Sequence, residues 1–116
     1  MSITINKHMD KEKYIKWLIN GEKEAEVRLA TDEYKLADYI IFTTKDTNKQ
    51  YKFKIIEKKY FNSFEDCIDY YGYNKLICDT KDKNDCLKIY QSFYPNKEYL
   101  TNQIISLKLK LIENFN

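Results

Sequence analysis

Apolar positions along the chain recur either every second residue or every third and fourth, and the two spacings separate strands from helices. Ser2 to Met9 alternates weakly through Ile3 and Ile5 and predicts a short first strand. Asp10 is placed to cap a helix in which Tyr14, Trp17 and Leu18 form one stripe. Gly21 ends that helix, because glycine takes a left-handed conformation at little steric cost. Strict alternation follows. Ala25, Val27 and Leu29 point to one face and Glu24, Glu26 and Arg28 to the other, which predicts a strand with an apolar inner and a charged outer face. After a polar turn through Thr31, Asp32 and Glu33, the continuous apolar run Tyr39-Ile40-Ile41-Phe42 predicts a buried strand. Residues 45–50 read as a hairpin loop, and Tyr51 to Ile55 alternates cleanly. The alternation slips at Ile55-Ile56, predicting a bulge or bend of the kind that a small barrel needs.

Ser63 opens a second helix, with Asp66 three residues on in a capping-box pattern. Phe64, Cys67, Ile68 and Tyr71 form its apolar stripe, and Gly72 stops it. A charged loop through 81–84 leads to a third helix carrying Leu87, Tyr90 and Phe93/Tyr94, which Pro95 terminates. Ile105, Leu107, Leu109 and Leu111 then alternate with Ser106, Lys108 and Lys110 in a closing strand. Strands and helices are mixed without a βαβ rhythm, repeats or a linker. The expected architecture is α+β, a single domain over 1–116 built as a small β-barrel with about three flanking helices.

Composition narrows the class. A chain of 116 residues with 43% hydrophobic and 16% aromatic content can build one core without disulfides. The net charge of +2 falls well short of the basic bias usual in nucleic-acid-binding domains, so a polyanionic partner would have to be met by local clustering. Abundant Lys, Asn, Ile and Tyr beside scarce Gly, Pro and Arg is the coding bias of an AT-rich genome and describes the source. Cys67, Cys78 and Cys86 are odd in number and lack C-x-x-C spacing, which argues against both a zinc site and a disulfide framework. Cys67 and Cys86 lie on apolar helix faces and read as small core hydrophobes. A reducing, intracellular location is the expectation, cytoplasmic or, in a eukaryotic or viral setting, nuclear. No apolar run approaches the ~20 residues of a membrane span, and the N-terminus lacks a signal-peptide core. Neither a membrane partner, a metal nor a cofactor is expected; the oligomeric state is left open.

Arg28 is the only arginine among nineteen lysines. A chain so biased toward lysine keeps an arginine where the fork-shaped guanidinium does what an ammonium cannot, namely bind carboxylate or phosphate through two N–H groups. The plainer explanation is a surface pair with Glu26. The stretch Gly21-Glu22-Lys23-Glu24-Ala25-Glu26-Val27-Arg28 resembles the G-x-K-x-x-E-x-R signature of ASCH domains, activating-signal-cointegrator homology modules related to PUA domains. Trp17-Leu18-Ile19-Asn20 ahead of it, the strand entry from Tyr34 to Phe42, the turn Tyr60-Phe61-Asn62-Ser63-Phe64-Glu65-Asp66 and the helix end Tyr90-Gln91-Ser92-Phe93-Tyr94 resemble further blocks of that family. They come in the family's order and cover nearly the whole chain.

The resemblance implies a PUA-like barrel and a cleft between barrel and helices that takes RNA or a nucleobase-like ligand such as a modified nucleoside. The residues carried over are Lys23 for phosphate, Arg28 for phosphate or a base, and Glu26 to orient Arg28 or accept from an amino group. His8, the only histidine, is a further candidate for the same cleft, as are Tyr60 and Ser63 at the strand-to-helix turn, where an aromatic ring could stack on an unpaired base. Core packing is the plainer role for most of the other aromatics. A second reading is a small hydrolase. One branch of the family hydrolyses N-acylated cytidines, and this chain resembles it at Lys23; but Glu26 stands where that branch has threonine, and no glutamate lies between Asp66 and Tyr94 to supply its later acid. Ribonuclease activity would need His8 or Glu26 as general base. A third reading is a protein-interaction domain with an inactive cleft, since the family's Gly-Asp turn is here Ala37-Asp38. Lysines 52, 54, 58, 59, 108 and 110 sit at outward strand positions, where they form either a basic surface or an ordinary solvated face protecting edge strands.

Overall fold

A computed structural model describes residues 1–116, and it is an α+β half-barrel. The strands are β1 (Thr4–Met9), β2 (Glu26–Leu29), β3 (Tyr39–Thr44), β4 (Gln50–Phe61) and β5 (Ile104–Asn114). They form one sheet in the order β1-β3-β4-β5-β2, with β1 parallel to β3 and every other pair antiparallel. The helices are α1 (Glu12–Asn20), α2 (Asp32–Leu36), α3 (Phe64–Tyr71) and α4 (Lys83–Ser92), with short 3-10 turns at Tyr73–Lys75 and Glu98–Leu100.

Local chemistry explains most boundaries. Gly21 closes α1 at φ 80°, donating its N–H to the Leu18 carbonyl. Ser63 caps α3 by accepting from the Asp66 N–H at 3.1 Å, and Asp82 caps α4 by accepting from Asp85 at 2.8 Å. The cap expected from Asp10 is absent. Lys11 occupies that position, and the first-turn N–H of Glu12 is satisfied by Asp46 from the β3–β4 loop at 3.0 Å. Thr31 to Glu33, expected as a plain turn, leads into α2; five residues are too few for a helical period to register in the sequence. The bulge expected at Ile55-Ile56 is present as a register shift between Ile55 and Glu57, and a second shift at Lys52/Phe53 bends the β4–β5 pair further.

The register defines two faces. Residues directly opposed on neighbouring strands share a face, so Ile40, Phe42, Phe53, Ile105 and Leu107 line the inner one, each at most 1% exposed. Val27, Leu29, Ile104 and Ser106 lie on the outer one, where Tyr71 of α3 hydrogen-bonds the Ser106 hydroxyl at 2.7 Å. This overturns the expected polarity of β2. Glu26 and Arg28 share the inner face with Leu107 and Ile105, and Val27 and Leu29 point outward, beneath the helices. Both faces of β2 are covered, which alternation alone does not reveal. No helix is long and apolar enough to cross a membrane.

Candidate functional site

The two ends of the sheet, β1 and β2, share no backbone ladder. One side chain spans the gap. Arg28 projects from β2 across the inner face, its guanidinium 5.3 Å from the Phe42 ring centroid, and its Nη2 donates to the His8 carbonyl on β1 at 3.1 Å. Nη1 donates to the Tyr34 hydroxyl of α2 at 3.3 Å. Nε donates to Glu26 Oε2 at 2.8 Å, and Nη2 lies at the same distance from that oxygen. Met9 Sδ sits 3.8 Å from Nη2. The guanidinium is thus held on three sides by its own protein.

Glu26 carries the chain of contacts onward. Its Oε1 is 3.6 Å from Lys23 Nζ, and Lys23 in turn donates to the Leu76 carbonyl and lies 3.5 Å from the Tyr90 hydroxyl of α4. Lys23 and Glu26 are 4% and 5% exposed, so the motif forms a buried Lys–Glu–Arg chain and not the solvent-facing edge read from alternation. Burial shifts the charges unequally. Desolvation lowers the Lys23 pKa, with Glu26 opposing the shift. Desolvation is the largest single influence on Arg28 and works against the cation, but the charge and hydrogen bond of Glu26 together with Tyr34 and Tyr94 outweigh it, and the Arg28 pKa is raised. Loss of water raises the Tyr90 and Tyr94 hydroxyls, the first well above the usual range for tyrosine.

An open cleft of about 210 Å³ lies over this chain. Lys23, Glu26 and Arg28 line it together with Tyr14 and Tyr90. Tyr94 and the 40%-exposed Phe93, both following α4, add aromatic surface. The exposed residues His8, Asp10 and Lys45 also line it, and the Lys45 N–H ties to the Met9 carbonyl at 2.8 Å. Asp10, which does not cap α1, is among these exposed lining residues.

Of the residues singled out from sequence, Lys23, Glu26, Arg28 and His8 are brought together here. His8 enters by its main chain: its carbonyl receives Arg28, and its side chain shares a face with Thr43, away from Met9. Tyr60 and Ser63 do not belong to the cleft. Tyr60 is opposed to Ile105 on β4, 46% exposed, and Ser63 spends its hydroxyl on the α3 cap. Sequence reasoning missed Tyr34 as an Arg28 partner, because α2 was read as a turn. It also missed Asp10, by assigning it a cap, and Lys45, by leaving it in a hairpin loop. Tyr90 was legible as a buried helix position, but its hydroxyl partner was not.

A half-barrel of five strands carrying a buried ionic chain beneath an open cleft is the class that fold and site define. Neither family models nor curated protein sequences match the chain. Among solved structures it is similar to the hypothetical protein PH0355, seen by crystallography, with a TM-score of 0.77 and 18% identity over 95% of this chain and 100% of that one. It is also similar to protein PF0455 from Pyrococcus furiosus, seen by NMR, with a TM-score of 0.73 and 13% identity over 96% and 99% of the two chains. At such identities the likeness is one of fold.

Proposed function

We propose that the chain is an ASCH-type module whose cleft binds a nucleobase-bearing ligand, either a nucleoside or an unpaired RNA base. The observation that carries this reading is the arrangement of Lys23, Glu26 and Arg28 of the G-x-K-x-x-E-x-R stretch as one ionic chain along an open cleft with tyrosine and phenylalanine rings beside it. A cleft of about 210 Å³ suits one base and not a folded RNA element. Phe93 and Tyr94 offer stacking surface, and Lys45 offers a cation for a phosphate. Arg28 has five N–H donors, of which Glu26, Tyr34 and His8 do not occupy the whole set, so it retains capacity toward a base edge. Its first duty is nevertheless to hold the cleft together.

The test is calorimetric titration with the common nucleosides, modified cytidines and a short single-stranded RNA. Binding of at least one of them, lost on Phe93→Ala or Arg28→Lys with the fold retained by circular dichroism, is the expected result. If no nucleoside or RNA binds at millimolar concentration, the reading fails.

One observation favours the hydrolase as a second reading: Lys23 is buried beside Glu26 with a lowered pKa, as a lysine acting as a base or nucleophile requires. Against it, Nζ already donates to the Leu76 carbonyl and faces Tyr90. Incubation of N-acylcytidine with the wild type and with Lys23→Ala decides: turnover that Lys23→Ala abolishes selects the enzyme.

A further inference from the structure

Lys52 and Lys54 lie where β4 is paired on both sides, so protection of an exposed edge cannot account for them, whereas Lys108 and Lys110 follow the four positions that β2 covers and lie where one side of β5 is open. The register puts Lys54 directly opposite Lys110, both exposed, on the outer face. Like charges so placed destabilise a sheet. On the same face Lys52 lies over the Tyr39 ring at 4.9 Å, and Lys108 is opposed to Glu57. Lys58 is the exception, sharing the inner face with Leu107 and reaching the Lys35 carbonyl at 2.6 Å.

Beyond Lys108 the face continues into a shallow groove beside α3. Lys59 lies there, paired with Glu57 at 3.2 Å and 5.3 Å from the ring centroid of Tyr70, which is 59% exposed, and Lys75 lines the same groove. Glu24 and Glu57 are the groove's carboxylates, and Glu113 faces Lys52. Six lysines therefore meet three carboxylates, a local excess larger than the chain's whole net charge of +2. The charged residues outside this face sum to nearly zero.

We infer that this outer face of β4 and β5 is a second binding surface, for the sugar–phosphate backbone of single-stranded nucleic acid. Alternate residues on one strand are roughly 7 Å apart, a spacing on the scale of successive phosphates in an extended single strand. Lys52, Lys54 and Lys110 supply the phosphate contacts at one end, and Tyr70 with Lys59 supplies a stacking ring and a cation at the other. The cleft lies at the β1–β2 gap, so the outer surface and the cleft are separate and either assignment can fail without the other.

The experiment is fluorescence anisotropy of a labelled 12-nucleotide single-stranded RNA across a salt series, with a nucleoside titration of the same proteins run in parallel. The Lys54→Gln/Lys110→Gln double variant is expected to weaken RNA binding about tenfold at 50 mM salt and to reduce the slope of log K against log salt by about 1.4, the value for two lost phosphate contacts on a single strand. Nucleoside binding stays unchanged. Lys54→Glu creates a cross-strand pair with Lys110, so it raises the melting temperature while weakening RNA binding, an outcome that misfolding cannot produce. Unchanged RNA affinity in the double variant, or duplex of equal length binding as tightly as the single strand, overturns the inference.

Discussion

Lys23 is a residue whose chemistry burial alters. Its ammonium is held away from water beside one carboxylate oxygen that it shares with no other cation, since Arg28 takes the second. Desolvation sets its pKa below the ordinary lysine value of 10.5. The sign of the linkage follows: the unfolded chain holds this proton more tightly, so the destabilising burial of the cation is relieved as pH rises through the folded value toward 10.5. Tyr51 acts the other way, because desolvation and the Glu12 carboxylate push its hydroxyl to about 12. Its contribution is present below pH 10 and is lost as pH climbs toward about 12. Thermal melts of the wild type and Lys23→Met between pH 7 and pH 10, below the tyrosine window, isolate the lysine. The wild type should gain on the variant as pH rises; a difference that is flat with pH would show that Lys23 is not desolvated. A parallel expectation concerns the thiols. Cys67 and Cys86 are fully buried and raised by burial to about 12 and about 11, whereas Cys78 is partly exposed. Maleimide at neutral pH should therefore label Cys78 and leave the other two until the protein is denatured.

At the scale of elements, caps and stops decide where helices lie, and some of them were legible in the sequence. Ser63 and Gly21 both do what their residue types dictate. Ser63→Ala should cost about 1 kcal/mol through the loss of the α3 cap, and Gly21→Ala about 1 kcal/mol through left-handed strain, since no neighbour lies within 4 Å of the added methyl. Denaturant melts read both, and a neutral Gly21→Ala would mean the helix end relaxes. Strand identities and the Ile55-Ile56 bulge were likewise readable from period two and its interruption. What stayed hidden depends on tertiary neighbours. Alternation in β2 separates two faces but cannot say that both are covered, so Glu26 and Arg28 looked exposed. Asp10 looked like a cap because it precedes α1, and only the fold brings Asp46 close enough to replace it. Tyr34 could not be linked to Arg28 while α2 was too short to show a helical period.

For the whole molecule the open question is what joins the two ends of the sheet. The β4–β5 ladder runs through ten paired positions, but β1 and β2 meet through no ladder at all. Arg28 fills that gap by binding, from β2, the His8 carbonyl on β1 and the Tyr34 hydroxyl of α2, while Glu26 fixes its Nε. A lysine in its place can reach one of these partners but lacks the rigid fork that engages them together. Arg28→Lys should then open the molecule locally. Hydrogen exchange followed by mass spectrometry is expected to quicken about tenfold or more over β2 and the end of β1, a local cost of about 1–3 kcal/mol for hydrogen bonds to a charged group. The β4–β5 centre should keep its protection. If exchange quickens equally across every strand, Arg28 serves global stability and not the gap; if nothing changes, the ends are held by α1 and α2 packing alone. Because the cleft lies at this gap, the same variant that loosens the strand ends should also lose ligand, which ties the arginine's structural duty to the proposed binding role.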